Sequence, residues 1–443
     1  MNEARMLWEL ATDWYQISML GGYFYHKKVH QQVVFDLFFR QFPQNREFMI
    51  AAGLEQAIEY LTHLRFDPEA IDFILAHPSF ANYPDLEGFR AYLETFRFTG
   101  QVLAVPEGTP VGPNEPILEV IAPLGQAQLV ETYLLSVIGH QTLIASKAAR
   151  VVQAAQGKTV VDFGTRRAHG REAAIFGARA AFIGGCSGTS NVLAGKLFGI
   201  PVVGTQAHAW IQSFPTELEA FRAYATVYPE NTILLIDTYD LEEGTRHAAQ
   251  VGKELQRRGH SLRGVRIDSG DLAAEIPKVR QILDAEGQQA AKIVVSNDLN
   301  EYKISELTKQ GPAHVADIYG VGTEMAVSRD DPALSVVYKL VEIEGQPCIK
   351  LSPGKITYPG RKQIFRTKDG DVLACHGESL PGYALLRPIL VDGALVAPLP
   401  NLSEIQQYCR EALNSMPKPL KVIPSAKLAT LVETLKEKYT RLD

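Results

Sequence analysis

Ionisable side chains recur directly after short apolar runs in the middle of this 443-residue chain. The runs ILLID (233–237) and GVRID (264–268) each end on an aspartate, and His208 lies just past the run PVVGT (201–205). An aspartate in such a position can accept hydrogen bonds from two vicinal hydroxyl groups, and a histidine can act as an acid, a base or a nucleophile. We therefore expect a site for a polar, hydroxyl-bearing ligand where these runs end.

The segment DFGTRRAHG (162–170) adds arginine and aromatic chemistry to the same pattern. Arg166 and Arg167 follow an apolar run, and an arginine fork can bind a planar carboxylate or a phosphate through two parallel hydrogen bonds. Phe163 could stack on a flat ring. One of two adjacent arginines is commonly structural or solvated, so the segment alone leaves the ligand role open.

Small and polar residues follow the runs KIVVS (292–296) and ADIYG (316–320) in a pattern that suits a phosphate. Glycine lets backbone N–H groups approach an oxyanion closely, and α/β barrels often bind phosphate after their last strands. Ordinary turns and helix caps are the alternative for both segments. The residues concerned are Ser296, Asn297 and Asp298, which end and follow the first run, and Gly320, Gly322 and Thr323, which end and follow the second.

These segments need elements that bring their ends together. Seven apolar runs between residues 159 and 320 alternate with helix-length segments, which is typical of parallel strands in βα units. We predict an irregular parallel α/β barrel resembling a TIM barrel, with its functional face at the carboxyl ends of the strands. An open doubly wound sheet is the alternative. The two runs not named above are TVVDFG (159–164) and AAFIGG (180–185), and Val336–Val341 is a candidate for an eighth strand.

The flanking segments differ from the alternating middle. Residues 1–100 look mainly helical, with a strand-like run at Val33–Phe39, and β character returns after residue 335. We predict a second, α+β domain built from the N- and C-terminal segments. The predicted division is 1–155 for the N-terminal part with a connecting helix, 156–335 for the barrel, and 336–443 for the C-terminal β segment and helical tail.

Composition narrows the class of protein. Apolar residues make up 46% and charged residues 21%, as in ordinary globular chains. The net charge of −6 gives no reason to expect nucleic acid or an anionic membrane as a partner. The four cysteines have no disulfide or zinc-site spacing, and the N-terminus lacks the apolar segment of a signal peptide. We expect a cytoplasmic enzyme.

Seven segments of the chain form a recognisable combination. They are TDWYQISM (12–19), VDFGTRRAHG (161–170), GGCSGTSNVLAGKLFGIPVVGTQAHAW (184–210), GVRIDSGDL (264–272), VVSNDLNEYKI (294–304), YGVGTEM (319–325) and KLSPGKITYPGRKQIFR (350–366). In this order, and over about 350 residues, they resemble the nicotinate phosphoribosyltransferase family. FGTRRA, RIDSGDL and PGRKQ are the most specific of these motifs.

The resemblance implies a fold of the type II phosphoribosyltransferase kind, which agrees with the barrel and the two-ended second domain predicted above. It implies that nicotinate and 5-phosphoribosyl 1-diphosphate react to give nicotinate mononucleotide and diphosphate, in NAD salvage. Family members usually couple this reaction to ATP hydrolysis through a phosphohistidine, and Mg²⁺ accompanies the diphosphate. They act as homodimers, and each site is completed by the neighbouring subunit's N-terminal segment.

Roles for individual residues follow from the same resemblance. Arg166 would pair with the nicotinate carboxylate, and Phe163 would stack on the pyridine ring. His208 matches the histidine that ATP phosphorylates. Asp237 and Asp268 would hold the ribose hydroxyl groups and the Mg²⁺-diphosphate, although the metal ligands themselves are not identified.

Further substrate contacts are implied around these residues. Arg266 would guide a phosphate or the ring, and Tyr15 would reach into the neighbouring subunit's site. The 5′-phosphate would be cradled by Asn297, Gly320 and Gly322. Positive charge near the polyphosphates would come from Lys355, Lys362 and Arg366. The predicted substrate-binding set is completed by Thr165, Ser190, Ser296 and Thr323.

The choice of base has a physical discriminator. Segment 184–195 contains no acid, and Ser190 and Asn191 stand where relatives specific for nicotinamide carry an aspartate, so nicotinate is favoured. Nicotinamide phosphoribosyltransferase activity and a non-catalytic ligand-binding barrel remain as alternatives. Ala209 replaces the serine that many members have after the relay histidine, which leaves the strength of ATP coupling open.

Overall fold

The structure, a computed structural model, describes residues 8–352 and 357–440. The chain divides into two units: unit 1 combines its two ends, Met1–Leu143 and Ala333–Asp443, and unit 2 is Ile144–Pro332. These divisions lie after residues 143 and 332, whereas the sequence led us to expect them after 155 and 335. No helix in the described ranges is long and apolar enough to cross a membrane.

The α-helices of the described ranges lie in both units. They are α1 (Trp14–Tyr25), α2 (Leu54–His63), α3 (Pro68–Leu75), α4 (Leu86–Glu94), α5 (Leu124–Leu129), α6 (Glu131–Ala154), α7 (Arg171–Ile183), α8 (Val192–Phe198), α9 (His208–Gln212), α10 (Glu217–Val227), α11 (Leu241–Arg257), α12 (Leu272–Ala285), α13 (Glu301–Lys309), α14 (Thr323–Ala326), α15 (Leu402–Ser415) and α16 (Ala426–Thr440). The boundary between the units falls within α6.

The strands form separate sheets in the two units. They are β1 (Gln32–Phe39), β2 (Met49–Ile50), β3 (Gln101–Ala104), β4 (Pro110–Val111), β5 (Leu118–Pro123), β6 (Thr159–Asp162), β7 (Ile233–Leu235), β8 (Gly264–Ile267), β9 (Lys292–Val295), β10 (Ile318–Val321), β11 (Val336–Ile343), β12 (Gln346–Pro347), β13 (Lys362–Arg366), β14 (Asp371–Cys375), β15 (Tyr383–Ala384), β16 (Arg387–Val391), β17 (Ala394–Leu395) and β18 (Val422–Pro424).

Unit 2 is built on a five-stranded parallel sheet in the order β6-β10-β9-β8-β7. Its strands are short runs of buried β-branched residues, which suit a sheet covered on both faces. Two single parallel bridges, Asp162 to Thr189 and Thr189 to Val202, extend the order beyond β6. Within residues 144–332, all of which are described, no ladder joins Val202 to β7, so backbone pairing does not close the sheet.

Two of the runs predicted as strands of the parallel set do not belong to it. AAFIGG (180–185) ends helix α7, because its alanines continue the helix-forming sequence REAAIFGARA. Its expected place beside β6 is taken by Thr189. The candidate eighth strand, Val336–Val341, lies in β11, which pairs antiparallel with β1 in unit 1. PVVGT (201–205) contributes only the bridge at Val202.

Unit 1 combines helices with antiparallel sheet, as predicted for an α+β domain. Its main sheet has the order β12-β11-β1-β5-β3-β16-β17, so both ends of the chain contribute strands to it. The strand-like run Val33–Phe39 lies in β1 and is almost entirely buried. A continuous apolar core packs under this sheet, with Phe35 stacked on Tyr338 at a ring-centroid distance of 4.7 Å.

Helices α11 to α14 of unit 2 each begin a few residues after a strand. In α11 the buried residues Gly244, Ala248, Val251 and Leu255 recur at helical spacing, as expected for a helix that covers a sheet. The connections from strand to helix are short, so each strand is followed within a few residues by a helix N-terminus. These connections carry the polar residues singled out from the sequence.

Candidate active site

Polar residues after the strands of unit 2 divide into two kinds. Asp240, Asp271 and Asn300 are helix N-caps, and each side chain accepts a hydrogen bond from a backbone N–H of the helix that follows. Asp237 and Asp268 stand three residues before the first two caps and cap nothing. The helices are therefore capped without using the aspartates at the strand ends.

Asp237 and Asp268 are linked to each other at the ends of the neighbouring strands β7 and β8. The backbone N–H of Asp268 donates to Oδ2 of Asp237 at 2.8 Å, and the Ser269 hydroxyl donates to the same oxygen at 2.6 Å. Oδ1 of Asp237 is buried and has no hydrogen-bond partner among the described residues. Buried polar atoms nearly always have a hydrogen-bond partner, so an unpartnered carboxylate oxygen at a strand end is a candidate contact for a ligand hydroxyl group or a cation.

Arg266 connects several strand ends. Its Nη2 donates to Oδ1 of Asp268 at 2.8 Å, its Nε to the Ser296 hydroxyl at 2.8 Å, and its Nη1 to the Thr205 hydroxyl at 3.0 Å. Its guanidinium carbon lies 5.6 Å from the centre of the Phe163 ring. Arg266 thus fixes the positions of its neighbours, and much of its donor capacity is already used within the protein.

His208 lies at the start of α9 and is 40% exposed. Its Nδ1 is 3.1 Å from the Thr238 hydroxyl, and its Nε2 is 3.8 Å from Oδ2 of Asp268. A hydrogen bond at one ring nitrogen and a carboxylate near the other orient the imidazole. The side chain is both oriented and accessible, as a nucleophile or proton carrier requires.

Phe163 follows β6 and packs against Gly320 of β10. A Cβ atom at position 320 would lie 2.5 Å from the ring, a distance that real Cβ contacts essentially never show. The glycine is therefore required for the ring to lie where it does. Ser296, at the end of the adjacent strand β9, approaches the same position.

Arg166 lies in the short 3-10 turn after Phe163 and is exposed. Within the described ranges neither Arg166 nor Arg167 has a hydrogen bond or ion pair with another residue. Nearby, the Thr165 and Ser190 hydroxyl oxygens are 3.1 Å apart. Arg166 therefore has all its donors available for an anion, beside two uncharged hydroxyl groups.

An acid that the sequence argument did not weigh, Asp162, ends β6. Its Oδ1 accepts from the backbone N–H of Gly164 at 2.8 Å, and its Oδ2 accepts from the Thr189 hydroxyl at 2.7 Å. Burial raises the pKa of Asp162, and these two hydrogen bonds lower it in part. Both oxygens are used to hold the turn, so the side chain is a structural element of the site.

The predicted phosphate segments follow the neighbouring strands β9 and β10. Asn297 is partly buried, and its amide Nδ2 donates to the Gly270 carbonyl at 3.0 Å. Gly322 and Thr323 form the turn from β10 into α14. The structure brings these segments to the same edge of the sheet as the acids, since all five strands run parallel.

Two cations predicted to face polyphosphate are instead buried inside unit 1. Lys362 is 1% exposed, pairs with Asp36 at 2.7 Å and donates to the carbonyls of Tyr358 and Gly360. Arg366 is 3% exposed and donates through Nε and Nη2 to Asp371. The prediction for these two side chains is wrong, because buried and fully paired cations do not offer charge to a ligand.

Two further residues of unit 1, Tyr15 and Lys355, were predicted to contact substrate. Tyr15, in α1, is 48% exposed, and its hydroxyl is 3.4 Å from Oε2 of Glu131. Its predicted reach into a neighbouring subunit stays a prediction. Lys355 lies outside the described residues.

Three residues of the site were missed by the sequence argument. Thr205 holds Arg266, Ser269 holds Asp237, and Thr238 holds His208. Thr205 and Ser269 lie inside motifs quoted from the sequence, and Thr238 directly follows the run that ends at Asp237. The available signal was a hydroxyl residue within three positions of an ionisable residue, which is too common to be selective.

A parallel α/β unit with acids, arginines and a histidine at the carboxyl edge of its sheet has the arrangement of an α/β enzyme. Comparison with known proteins identifies the family of enzymes. The nicotinate phosphoribosyltransferase N-terminal domain model matches residues 10–139, and the nicotinate phosphoribosyltransferase family model matches residues 159–370. The chain belongs to the nicotinate phosphoribosyltransferase family.

Similar proteins cover most of the chain. Nicotinate phosphoribosyltransferase pncB2 of Mycobacterium tuberculosis is 42% identical over an alignment of 418 residues, which covers 93% of this chain and 88% of that protein. Nicotinate phosphoribosyltransferase of Bacillus subtilis is 40% identical, over 91% of this chain and 88% of that protein. The crystal structure of human nicotinic acid phosphoribosyltransferase has a TM-score of 0.84 at 29% identity, over 96% of this chain and 99% of that one.

Proposed function

We propose that this protein transfers the 5-phosphoribosyl group of 5-phosphoribosyl 1-diphosphate to the ring nitrogen of nicotinate, in NAD salvage. The bond from C1 of the ribose to the diphosphate oxygen breaks, and a bond from C1 to the pyridine nitrogen forms. The products are nicotinate mononucleotide and diphosphate. The reaction is supported by relatives at 40–42% identity that are named nicotinate phosphoribosyltransferase.

The single observation that carries the proposal is the linked pair Asp237–Asp268 beside Arg266 at the edge of the sheet. Breaking the glycosidic bond builds positive charge on the ribose and negative charge on the leaving diphosphate. Fixed carboxylates near the ribose stabilise the first of these charges. The pyridine nitrogen is already a nucleophile, so the site needs to position the reactants more than it needs a base.

Arg166 is proposed to bind the nicotinate carboxylate, with Phe163 against the pyridine ring. The support is that the Arg166 guanidinium is exposed and uncommitted, while the adjacent hydroxyls of Thr165 and Ser190 carry no charge. Asp162, the nearby acid, has both oxygens occupied by the turn. Nicotinate is therefore favoured over nicotinamide, whose amide would gain from a free acceptor.

The 5′-phosphate is proposed to bind between the loops after β9 and β10. Ser296 and Asn297 would contribute from the first loop. Gly320, Gly322 and Thr323 would contribute backbone donors from the second, where small residues leave the chain accessible.

Mg²⁺ is proposed to accompany the diphosphate. Among the described residues no group of three or more acidic, histidine or cysteine side chains is arranged to hold a metal by itself. Mg²⁺ commonly uses one or two carboxylates together with substrate phosphates, and Asp237, with its unpartnered Oδ1, fits that mode. The ion would supply charge neutralisation on the departing diphosphate.

ATP is proposed as a co-substrate that phosphorylates His208. A ring nitrogen would attack the γ-phosphorus of ATP, the bond to the β,γ-bridging oxygen would break, and ADP would leave. The exposure of His208 and its orientation by Thr238 support this role. Ala209 replaces the serine that many family members have after this histidine. The strength of the coupling between ATP hydrolysis and product formation is therefore left open.

A homodimer with shared sites is proposed for the assembly. In unit 2, large apolar side chains of Val192, Leu193, Leu197 and Val202 are exposed on and after α8. Such a group indicates a surface that is covered by another chain, and a second copy is the occupant that the family resemblance implies.

We also propose that the parallel sheet closes in the manner of a barrel and that the protein is located in the cytoplasm.

The deciding experiment is a mononucleotide synthesis assay with purified protein, 5-phosphoribosyl 1-diphosphate and Mg²⁺. Nicotinate and nicotinamide are compared, each with and without ATP. The proposal expects product from nicotinate and an increase with ATP. Product from nicotinamide alone would reassign the base, and binding of mononucleotide without any turnover would indicate a non-catalytic protein.

A further inference from the structure

Four charged side chains of unit 2, none of them among the residues predicted for the site, form a cluster. Nζ of Lys147 lies 2.7 Å from Oε2 of Glu301 and 2.9 Å from Oδ1 of Asp330. Nη1 of Arg150 lies 2.7 Å from Oε1 of Glu301 and 3.2 Å from Oδ2 of Asp330. Each cation bridges both acids, so the cluster, called here the four-charge cluster, joins three segments of chain.

The four-charge cluster is buried enough to resist solvent screening. The Lys147 side chain is not exposed, and that of Glu301 is 6% exposed. Arg150 and Asp330 are 14% and 16% exposed. Buried charges bring a desolvation cost that only good pairing offsets, and removal of one partner leaves the others uncompensated. The segments that carry these residues are therefore held at fixed separations.

The acids of the cluster come directly after the two proposed phosphate loops. Glu301 is the first residue of α13, at the end of loop 296–300. Asp330 lies just after α14, which begins in loop 320–324. Lys147 and Arg150 are both on α6, so one helix anchors the far ends of both loops.

A second contact joins the two loops directly. The Asn300 amide donates to Oε2 of Glu324 at 3.4 Å, and Oε1 of Glu324 pairs with Arg329 at 3.2 Å. Asn300 also caps α13 through its Oδ1. Both sets of contacts lie at the carboxyl ends of the two loops and restrain these ends relative to each other.

We propose that Lys147, Arg150, Glu301 and Asp330 are positioning residues that set the separation of loops 296–300 and 320–324 and thereby the affinity for 5-phosphoribosyl 1-diphosphate. The inference rests on the proposed function, in which these loops hold the 5′-phosphate. Backbone donors favour a phosphate only if they are held in place before it binds. None of the four side chains needs to touch the substrate.

The test compares two isosteric changes of equally buried acids in unit 2. Glu301→Gln weakens the four-charge cluster, whereas Glu217→Gln weakens the pair between Glu217, also 6% exposed, and His247 at 2.9 Å. Glu301→Gln is expected to raise the KM for 5-phosphoribosyl 1-diphosphate about tenfold, with kcat and the nicotinate KM within about twofold. Glu217→Gln is expected to leave all three constants nearly unchanged.

Two further measurements separate positioning from general loss of stability. The midpoint temperature of thermal unfolding should fall in both variants. Backbone amide hydrogen exchange in loops 296–300 and 320–324 should become faster only in Glu301→Gln. The dissociation constant of Mg²⁺-5-phosphoribosyl 1-diphosphate, measured without nicotinate, should rise in step with the KM. If Glu301→Gln does not fold, Asp330→Asn makes the same test, because Glu301 then still bridges both cations.

Equal changes of the two KM values, or the same rise in Glu217→Gln, would overturn the inference. Failure of the proposed function is distinguishable, since it appears as absence of product in the unmodified protein. In that event the dissociation constant and the hydrogen exchange of the same variants still decide the positioning role.

Discussion

The backbone N–H of Asp268 donates a 2.8 Å hydrogen bond to Oδ2 of Asp237, which joins the ends of two neighbouring parallel strands. The two carboxylates differ in their partners. Asp268 is paired with Arg266, whereas Asp237 has no cationic partner among the described residues. The charge of Asp237 is therefore the one that is free to act on a ligand.

Asp237→Asn is predicted to lower kcat about a hundredfold, because a positioned charge beside the reacting ribose is lost. Asn can still accept the hydrogen bonds from Asp268 and Ser269, so the fold should be retained. Steady-state kinetics with nicotinate checks this. The matched control is Asp240→Asn, the same change at the N-cap of α11, where Asn caps equally well and activity should persist.

Arg166→Ala is predicted to raise the nicotinate KM by about ten- to a hundredfold, the range expected for lost charge-assisted hydrogen bonds. The KM for 5-phosphoribosyl 1-diphosphate should change little. Arg167→Ala, at the adjacent exposed position, is the control and should leave both constants near their original values. Equal effects on the two substrates would refute the carboxylate role.

The candidate site shows which part of the structure the sequence could predict. Strand ends that carry Asp237, Asp268 and Arg266 were recognisable, because a short β-branched run followed by ionisable residues is typical of a buried strand that ends at a polar edge. The sequence could not say which acids cap helices. That distinction depends on the three-residue offset between the strand end and the helix start, which only the structure supplies.

The errors also have physical causes. An alanine-rich apolar run such as AAFIGG fits a helix or a strand until its neighbours are known, and here α7 extends through it. Lys362 and Arg366 lie in a basic segment that suggests a phosphate site. Lys362 pairs with Asp36, which is distant in the sequence, and Arg366 pairs with Asp371, which nothing in the sequence marks as its partner. The sequence therefore does not predict that these two cations are buried in ion pairs.

His208→Ala is predicted to abolish acid-labile labelling of the protein by γ-³²P-ATP. It should also lower the ATP stimulation of product formation, while nicotinate binding persists. His260→Ala, whose ring pairs with Glu230 at 2.7 Å, is the control and should keep the label. Label that survives in His208→Ala would move the phosphorylated residue elsewhere.

The stability of unit 1 is predicted to depend on pH through Asp36. Burial raises the pKa of Asp36 from 3.8 to about 7, and the charge of Lys362 opposes that rise only in part. The folded state holds this proton more tightly than the unfolded state does. The contribution of Asp36 to stability is therefore largest below about pH 4 and is lost as the pH rises to about 7.

Denaturant unfolding of the protein and of Asp36→Asn, between pH 5 and pH 8, measures this contribution. The difference in unfolding free energy between them should fall up to about pH 7 and then level off. Val34→Ala, at a buried position of the same strand that carries no ionisable group, should give a difference that does not vary with pH over this range. A constant difference for Asp36→Asn would contradict the raised pKa.

The close contact of Phe163 with Gly320 has a consequence for how this family can change. A Cβ atom at position 320 would meet the ring at 2.5 Å, so position 320 cannot take a side chain while the Phe163 ring stays where it is. A side chain at position 320 of β10 therefore requires that the aromatic ring after β6 be lost or moved. The residue types allowed at position 320 depend on position 163, although 157 positions separate the two along the chain.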